Sequence, residues 1–243
     1  MANQASDERL NELMAALERD PRIDIHHHPV RAHFQEGSLI LEGSVKSVAA
    51  KKLINAAARR IAKTAPVVDR LRVAAAEPKE DGALRDEVCN MLLQEPVFLE
   101  YGLRVVRNGT VNVLREPLGD PSRVLEIEVQ DGKVVLTGSV GSLSHLRLAE
   151  ALVWWTAGCE VVDNRLQVSP PQEDNDGELA DAIRMVLEKD PLVHAGQLSV
   201  SVRNGIATLD GYVASKEEKH LAVMDAWCVP GVQDVVDQIQ ARI

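Results

Sequence analysis

Apolar residues recur at helical spacing in three stretches of the chain, and each stretch is closed by a proline. They occupy Leu10, Leu13, Met14 and Leu17 in the first stretch and Leu179, Ile183, Val186 and Leu187 in the third. This spacing places the apolar side chains on one face of a helix. Because the residue before a proline is pushed out of helical geometry, we predict that the three helices end before Pro21, Pro96 and Pro191.

After each helix, apolar residues alternate with polar ones, which is the pattern of a half-buried strand. The alternating apolar positions are Val30, Ala32 and Phe34, then Leu125, Ile127 and Val129, and finally Leu198, Val200 and Val202. A glycine follows each strand, at Gly37, Gly132 and Gly205. Asp131-Gly132 and Asn204-Gly205 indicate tight hairpins, because both central residues of such a turn need a positive φ.

The same register continues beyond these turns without a gap, which identifies three copies of one unit. A second strand is predicted to end at a glycine six residues after the first, and a serine four residues later is placed to cap a second helix. In the third copy Glu218 completes a capping box with Ser215. The matched positions are Gly43, Gly138 and Gly211; Ser47, Ser142 and Ser215; and, in a closing strand, Asp69, Asn164 and Asp237 with Leu71, Leu166 and Ile239.

The fold class that follows is α+β, with three tandem α-β-β-α-β units that each form a small mixed sheet with two helices on one face. We place the units at residues 6–76, 82–170 and 177–243, joined by linkers rich in proline and acidic residues. The second unit contains an insertion at about 103–122. Because the insertion carries Asn108-Gly109, we predict an extra hairpin there, which either decorates a loop or binds a partner.

The order of hairpin glycine, strand glycine, helix and closing V-x-(D/N)-x-L strand resembles the BON domain, named for bacterial OsmY and nodulation proteins. The resemblance is carried by GKVVLTGSV with VVDNRLQV in the second unit and by GIATLDGYV with GVQDVVDQI in the third. The first unit departs most, since Ala65-Pro66-Val67 replaces the expected Gly-Val. The resemblance covers essentially the whole chain. It implies non-catalytic modules that bind phospholipid membranes or accompany secretin, channel, adhesin and ion-binding modules, many of them periplasmic.

Composition narrows the classes of protein that the chain can belong to. The 243 residues include 27 Lys and Arg against 37 Asp and Glu, and 45% are apolar, which is typical of a folded domain rather than a disordered segment. The net charge of −10 argues against nucleic acid as a partner, since nucleic-acid binding depends on neutralising phosphates. We find no transmembrane segment and no secretory signal pattern, so we expect a cytoplasmic protein, with the periplasm as the alternative that the resemblance implies.

The sequence contains no catalytic constellation. It has no GxSxG, no phosphate-binding Gly-Lys-Ser/Thr loop and no GxGxxG after a strand, so we expect no enzyme activity and no cofactor. The cysteines Cys89, Cys159 and Cys228 fit neither a zinc-ligand spacing nor a disulfide framework. We expect them to be buried thiols.

A histidine cluster is the one candidate for a metal site. His26 and His28 are placed to share a face if this segment is a strand, and His33 follows closely. Three interpretations stay open for the cluster: a metal site, a pH-responsive surface and the solvated start of a strand.

Charge is distributed unevenly among the units. Residues 1–76 have a net charge of +3, whereas residues 77–171 have −6 and residues 172–243 have −7. The second helix of the first unit carries Lys52, Arg59 and Lys63 outside its apolar stripe. This basic face is solvated, docks on an acidic unit or a second copy of the chain, or contacts an anionic lipid surface.

Two tryptophans lie at the same position of their repeats, on the helix face opposite the predicted core. Trp154 shares this outer face with Leu143, and Trp227 is the corresponding residue of the third unit. Exposed tryptophans of this kind are contact candidates, either between units or with a partner, unless the helix end folds them back onto the core. Our leading hypothesis is a binding or scaffolding protein that acts through a protein partner or self-association. The alternatives are binding of an anionic lipid surface by the first unit and binding of an ion or small ligand.

Overall fold

The computed structural model describes residues 2–75 and 77–242, which form two compact units, Met1–Ala74 and Ala75–Ile243. The first unit holds the first repeat, and the second unit holds the second and third repeats together. The described elements alternate helices with small sheets, which confirms the α+β fold of repeated α-β-β-α-β units.

The first unit is a three-stranded sheet with two helices. Strand β2 lies in the centre, antiparallel to β1 and parallel to β3. Its elements are α1 (Ala2–Arg19), β1 (Val30–Gln35), β2 (Ser38–Val45), α2 (Val48–Ala62) and β3 (Val67–Val73).

In the second repeat the same sheet is extended by the inserted hairpin. The extra strand β4 pairs parallel to β6, and β5 pairs antiparallel to β4 and forms the edge, so the strand order is β5-β4-β6-β7-β8, with β9 also on β7. This confirms the extra hairpin. The elements are α3 (Asp81–Gln94), β4 (Gly102–Arg107), β5 (Thr110–Arg115), β6 (Val124–Gln130), β7 (Lys133–Val140), α4 (Leu143–Trp155), β8 (Val161–Asn164) and β9 (Gln167–Val168).

The third repeat returns to three strands, in the order β10-β11-β12. Strand β11 pairs antiparallel to β10 and parallel to β12, as in the first repeat. Its elements are α5 (Asp176–Lys189), β10 (Leu198–Arg203), β11 (Ile206–Val213), α6 (Lys216–Cys228) and β12 (Asp234–Ala241). Helices α1, α3 and α5 all end before the prolines that the sequence predicts as stops.

The hairpin turns have the backbone conformation that their sequences predict. In each of the four hairpins both central residues have positive φ, which matches the twist of the strands they join. The turn pairs are Glu36-Gly37, Asn108-Gly109, Asp131-Gly132 and Asn204-Gly205. In the second and third repeats an aspartate at the start of a helix stabilises the turn further: Asp81 accepts from the backbone N–H groups of Asp131 and Gly132, and Asp176 from those of Asn204 and Gly205.

The second glycine of each repeat lies within its strand, so the prediction that the strand ends there is wrong. Each strand continues for two more residues, to Val45, Val140 and Val213. Gly138 shows why glycine is needed, since its φ is 113° and an added Cβ would lie 2.0 Å from the carbonyl oxygen of Val124 on the neighbouring strand. The glycine therefore permits close strand pairing rather than chain reversal.

The predicted serine caps are confirmed in all three repeats, but in the third repeat the Glu218 carboxylate accepts from the backbone N–H of Ala214 rather than from that of Ser215. Ser47, Ser142 and Ser215 each accept a hydrogen bond from the backbone N–H three residues later. In the closing strands, the repeated Asp or Asn accepts from the backbone N–H two residues on, which explains its place in the pattern. These bonds are Asp69 to Leu71 (2.9 Å), Asn164 to Leu166 (3.1 Å) and Asp237 to Ile239 (3.0 Å).

Candidate functional site

The outer face of α4 forms an interface with the third repeat. Helix α4 packs against α5 and α6, so part of this face is covered within the second unit. Arg147, which lies on it, is only 3% exposed and donates from Nε to the carbonyl oxygen of Pro230 (3.0 Å). Its Nη2 also donates to both carboxylate oxygens of Asp174, at 2.7 and 2.8 Å. The two repeats are therefore joined by a buried guanidinium as well as by apolar packing.

The expectation that Trp227 points outward is wrong. Trp227 is 3% exposed, because the end of α6 packs within the second unit, where α6 contacts α4 and α5. Trp154, the corresponding residue of the second repeat, is half-buried, and its Nε1 donates to Glu150 Oε1 at 3.4 Å. Leu143 is also half-buried, and its backbone N–H donates to the side chain of Gln172 in the linker. Of the two tryptophans, only Trp154 retains solvent-accessible surface for a partner.

The basic positions of the first repeat lie on the solvent side of α2. Arg59 and Lys63 are exposed, and Lys52 is half-buried. Lys51, one residue before Lys52, is tied down instead, since its Nζ contacts the Asp69 carboxylate and the carbonyl oxygen of Leu71. The exposed end of α2 therefore carries positive charge.

The histidine cluster does not lie on a strand, so the expectation that His26 and His28 share a strand face is wrong. Both residues lie in the turns that precede β1, and His33 lies within β1. Asp24 accounts for the local conformation, because its carboxylate accepts from the backbone N–H and lies 2.9 Å from the ring Nδ1 of His27. Among residues 2–75 and 77–242, no three His, Cys, Asp or Glu side chains are grouped as metal ligands.

Five exposed apolar side chains lie on the inserted hairpin and on the segments that flank it, and we call them together the hairpin patch: Leu99, Val111, Val113, Leu114 and Leu118. Strand β5 is solvent-exposed along nearly its whole length, and Val111 and Val113 are each 49% exposed. Alternation along the strand places these two valines on one face and Leu114 on the other. The hairpin base is fixed, since the Arg115 guanidinium donates to the carbonyl oxygens of Leu93, Phe98 and Tyr101.

A cleft of about 400 Å³ lies between α3 and this hairpin. Arg85, Cys89 and Leu114 are among the residues that line it. Cys89 is buried, as are Cys159 and Cys228, which confirms the prediction that the cysteines are buried thiols. Burial raises the pKa of Cys89 to about 11 and that of Cys159 to about 12, so these thiols are protonated at neutral pH.

A second cleft, of about 570 Å³, lies between the second and third repeats, and we call it the inter-repeat cleft. It is lined by Met91, Gln94, Glu95, Leu152 and Trp155 from the second repeat, and by Lys189, Asp190, Pro191, Leu192, Leu221 and Asp225 from the third. Asp225 is only 4% exposed, and its Oδ2 has no hydrogen-bond partner among the residues that the structure describes. Burial, reinforced by the neighbouring Asp190 carboxylate, raises the pKa of Asp225 to about 8.

The sequence reasoning missed the inter-repeat cleft, although one signal of it was present. Asp225 occupies the position of its repeat where the first has Ala57 and the second has Leu152. Helical periodicity places this position on the core side, so a carboxyl group there is an exception to the apolar pattern. The groups that surround Asp225 are Asp190, directly after α5, and Trp155 of the preceding repeat, so a local sequence pattern does not reveal them.

No helix in the described part of the chain combines the length and the apolar character that crossing a membrane requires. This holds for α1, the longest of them, whose sequence is largely polar.

Among solved structures, the chain is similar to the C-terminal domain of CdsD, the structural protein of the type III secretion system of Chlamydia trachomatis. The identity is 16%, the alignment covers 96% of each chain, and the TM-score is 0.25. It is also similar to the PrgH periplasmic domain, at 12% identity, with 90% of this chain and 96% of that chain covered and a TM-score of 0.23. At scores this low the alignments establish no common arrangement of the repeats. No curated protein sequence matches the chain.

The family comparison confirms the resemblance seen in the sequence. The BON domain matches three regions, residues 7–75, 112–170 and 175–242, one in each repeat. Because these regions make up most of the chain, the protein belongs to the BON domain family and carries three copies of the domain.

Proposed function

We propose that this protein is a non-catalytic binding or scaffolding module that acts through protein–protein contacts, foremost by self-association. Its membership of the BON family, whose resemblance implies binding modules, supports this function. The observation that carries the proposal is the hairpin patch on the open edge of the six-stranded sheet.

Strand β5 has the features of a pairing edge. One side of its backbone pairs with β4, while its other side faces no strand of the described sheet. Natural proteins usually protect such edges with proline, charge or a covering element. The interior of β5 instead reads Thr-Val-Asn-Val-Leu and carries no charge, with Arg115 drawn into the hairpin base. Antiparallel pairing of two β5 strands would satisfy both edges at once in a two-fold symmetric dimer.

The experiment is sedimentation velocity of the full chain across a range of concentrations. We expect a dimer in the wild-type protein and a monomer in the double variant Val111→Lys and Val113→Lys, because charges on a pairing edge oppose association. Val236→Lys is the matched control, since Val236 is an exposed valine (41%) on β12 of the third repeat. A dimer that persists in the double variant, or a wild-type monomer at every concentration, would overturn the self-association.

The half-buried Trp154 and Leu143 form a second proposed contact surface of the same function. Aromatic side chains with accessible apolar surface are enriched at interfaces. Trp154→Gln is expected to weaken self-association, because it removes the aromatic side chain from this proposed surface. A titration that gives the wild-type dimer dissociation constant for Trp154→Gln would remove Trp154 and Leu143 from the proposed surface.

Binding of an anionic lipid surface is the second candidate function, and the exposed basic end of α2 favours it. Arg59 and Lys63 lie on the solvent side, with Lys52 on the same helix. Co-sedimentation with phosphatidylserine vesicles at low salt tests this function, because electrostatic attraction is least screened there. We expect binding that is lost in Arg59→Gln with Lys63→Gln and kept in Arg165→Gln, a control on the second repeat. Wild-type protein that stays in the supernatant contradicts the lipid function.

A further inference from the structure

The inter-repeat cleft has the size and lining of a small-molecule site. Its volume of about 570 Å³ lies within the range of known ligand pockets. The walls are mainly apolar and come from both repeats, with Met91 and Leu152 on one side and Leu192 and Leu221 on the other. A ligand held there contacts both repeats at once.

One part of the cleft is polar and carries an excess of negative charge. The titratable groups that line it are Glu95, Lys189, Asp190 and Asp225. Lys189 neutralises Glu95, since its Nζ lies 2.6 Å from Glu95 Oε1. The carboxyl groups of Asp190 and Asp225 are then left without a cation among the residues that line the cleft.

Asp225 is the central polar group of this site. It is more than nine-tenths buried, and its Oδ2 accepts no hydrogen bond from the residues that the structure describes. The indole of Trp155 and the carboxyl of Asp190 both face this side chain, and the Asp190 contact raises the pKa of Asp225 whereas the Trp155 indole lowers it. Unpaired buried polar atoms are rare in folded proteins and are expected to have a partner that is missing from the chain itself.

The chemistry of the missing partner follows from these groups. An anion is repelled by the Asp190 carboxylate, and the described residues offer no group of three ligands for a metal ion. An ammonium group donates up to three hydrogen bonds and supplies the positive charge that Asp190 and Asp225 lack. Its hydrocarbon part would bury against the apolar walls, and the Trp155 ring can face the cation.

We propose that the inter-repeat cleft binds a small primary amine with an apolar body, the ammonium contacting Asp225 and Asp190 and the hydrocarbon packing on Leu152 and Leu192. The site is independent of the hairpin patch and of the self-association proposed above. Binding joins the two repeats and stabilises the second unit, because the ligand binds only the folded state.

The test is isothermal titration calorimetry with 4-phenylbutylamine, using 4-phenylbutanol and 4-phenylbutanoate as probes with the same apolar body. We expect the amine to bind at least about tenfold more tightly than the alcohol, and the carboxylate not to bind. In a ¹H–¹⁵N spectrum, the amine should shift the Trp155 indole signal. An alcohol that binds as tightly as the amine, or an amine that leaves this signal unchanged at millimolar concentration, overturns the proposal.

Two variants that each replace a carboxyl by an amide separate Asp225 from the other acidic groups of the second unit. Asp225→Asn should fold, because an amide of equal size replaces a carboxyl that is costly to ionise, and it should lose amine affinity by about tenfold or more. Glu188→Gln is the control, since Glu188 is an exposed residue of α5 that does not line the cleft. Equal losses in both variants would overturn the role of Asp225.

The pH dependence of amine affinity distinguishes a direct contact with Asp225 from a purely structural role of this residue. The amine stays charged up to about pH 10. Below about pH 8 it must displace the proton of Asp225, so its affinity should fall by about tenfold for each pH unit. A flat profile between pH 6 and 8 in the wild-type protein contradicts the proposal.

A lysine side chain carries the same ammonium group on a butyl chain, so a peptide could supply the amine. A capped lysine amide tests whether the cleft prefers a peptide lysine to a small amine. We expect it to bind more weakly than 4-phenylbutylamine, because its amide groups are costly to bury against the apolar walls. Tighter binding of the capped lysine would assign the cleft to a peptide and overturn the small-molecule occupant.

Discussion

The Arg147 guanidinium of the second repeat donates to the main-chain oxygen of Pro230 in the third, at 3.0 Å. The same side chain binds the Asp174 carboxylate through Nη2, and it is 3% exposed. A buried guanidinium with these partners fixes the distance and the orientation between α4 and the end of α6. It gives a polar reason, besides apolar packing, for the second and third repeats forming one unit.

Replacing Arg147 by alanine should destabilise the second unit. The variant loses two polar contacts and leaves the Pro230 carbonyl without its donor, and we expect the free energy of unfolding to fall by about 2–3 kcal/mol. All three tryptophans lie in residues 75–243, so tryptophan fluorescence during urea unfolding reports on this unit alone.

Arg165→Ala is the control for this measurement. Arg165 also binds an aspartate, Asp163, but it is 62% exposed, and ion pairs of that kind contribute about 0–1 kcal/mol. Equal effects of the two substitutions would contradict a special role for Arg147.

Asp225→Asn should stabilise the protein in a way that depends on pH. The pKa of Asp225 is raised to about 8 in the folded state, chiefly by burial, so the unfolded chain releases its proton at lower pH than the folded chain does. Between about pH 4 and 8 the wild-type stability should therefore fall as pH rises, by up to a few kcal/mol in total. The asparagine variant does not lose stability in this way. Urea titrations at pH 4.5, 6 and 8 measure the difference between the free energies of unfolding of the variant and the wild type, which we call the gap.

The gap should be largest at pH 8 and close to zero at pH 4.5. Asp181→Asn, on the exposed side of α5, serves as the control and should show a constant difference from the wild type. A gap for Asp225→Asn that is the same at all three pH values would show that Asp225 is ionised normally in the folded protein.

Features that depend on neighbouring residues alone could be predicted from the sequence. The Asn204-Gly205 turn and the Ser215 cap are decided within four residues, by the φ values that a turn requires and by the donors that a helix start leaves unpaired. The strand glycines were recognised as a repeated feature, but their physical role was assigned wrongly. At Gly138 the constraint comes from Val124 on another strand, and no local pattern carries that information.

The burial of Trp154 and Trp227 could not be predicted from helical periodicity. Periodicity describes how a helix faces its own sheet, and by that measure both Trp154 and Trp227 point away from the core. In the structure Trp227 is buried and Trp154 is half-buried. Packing between the second and third repeats forms the inter-repeat cleft beside Asp225. The contact between repeats depends on the relative placement of whole helices, which three copies of one pattern do not specify.

Gly138→Ala should be far more destabilising than Gly109→Ala, although both glycines have positive φ in the same sheet. An alanine Cβ at 138 would lie 2.0 Å from the Val124 carbonyl oxygen, whereas no atom lies within 4 Å of the position at 109. We expect the free energy of unfolding to fall by about 1 kcal/mol for Gly109→Ala, from backbone conformation alone, and by at least about 3 kcal/mol for Gly138→Ala. Urea unfolding followed by tryptophan fluorescence measures both losses, and similar values would contradict the role of close strand pairing.

Glu218→Gln should destabilise the third repeat with a pH dependence opposite to that of Asp225. Burial opposes ionisation of Glu218, but hydrogen bonds from the backbone N–H groups of His194 and Ala214 and from the His194 ring outweigh it and lower the pKa. A lowered pKa means that the carboxylate stabilises the fold above the unfolded-state value and that this contribution is lost as pH falls through the folded-state value. An amide cannot accept all three bonds equally well, because one of its ends is a donor.

We therefore expect Glu218→Gln to cost about 2 kcal/mol at pH 7 and less below about pH 4. The neighbouring Glu217 is the control, since it is exposed in the same first turn of α6, and Glu217→Gln should cost well under about 1 kcal/mol at either pH. Urea titrations at pH 7 and 3.5 measure both variants. A cost for Glu218→Gln that grows on acidification would show that Glu218 is protonated in the folded protein at neutral pH and donates rather than accepts in this cluster.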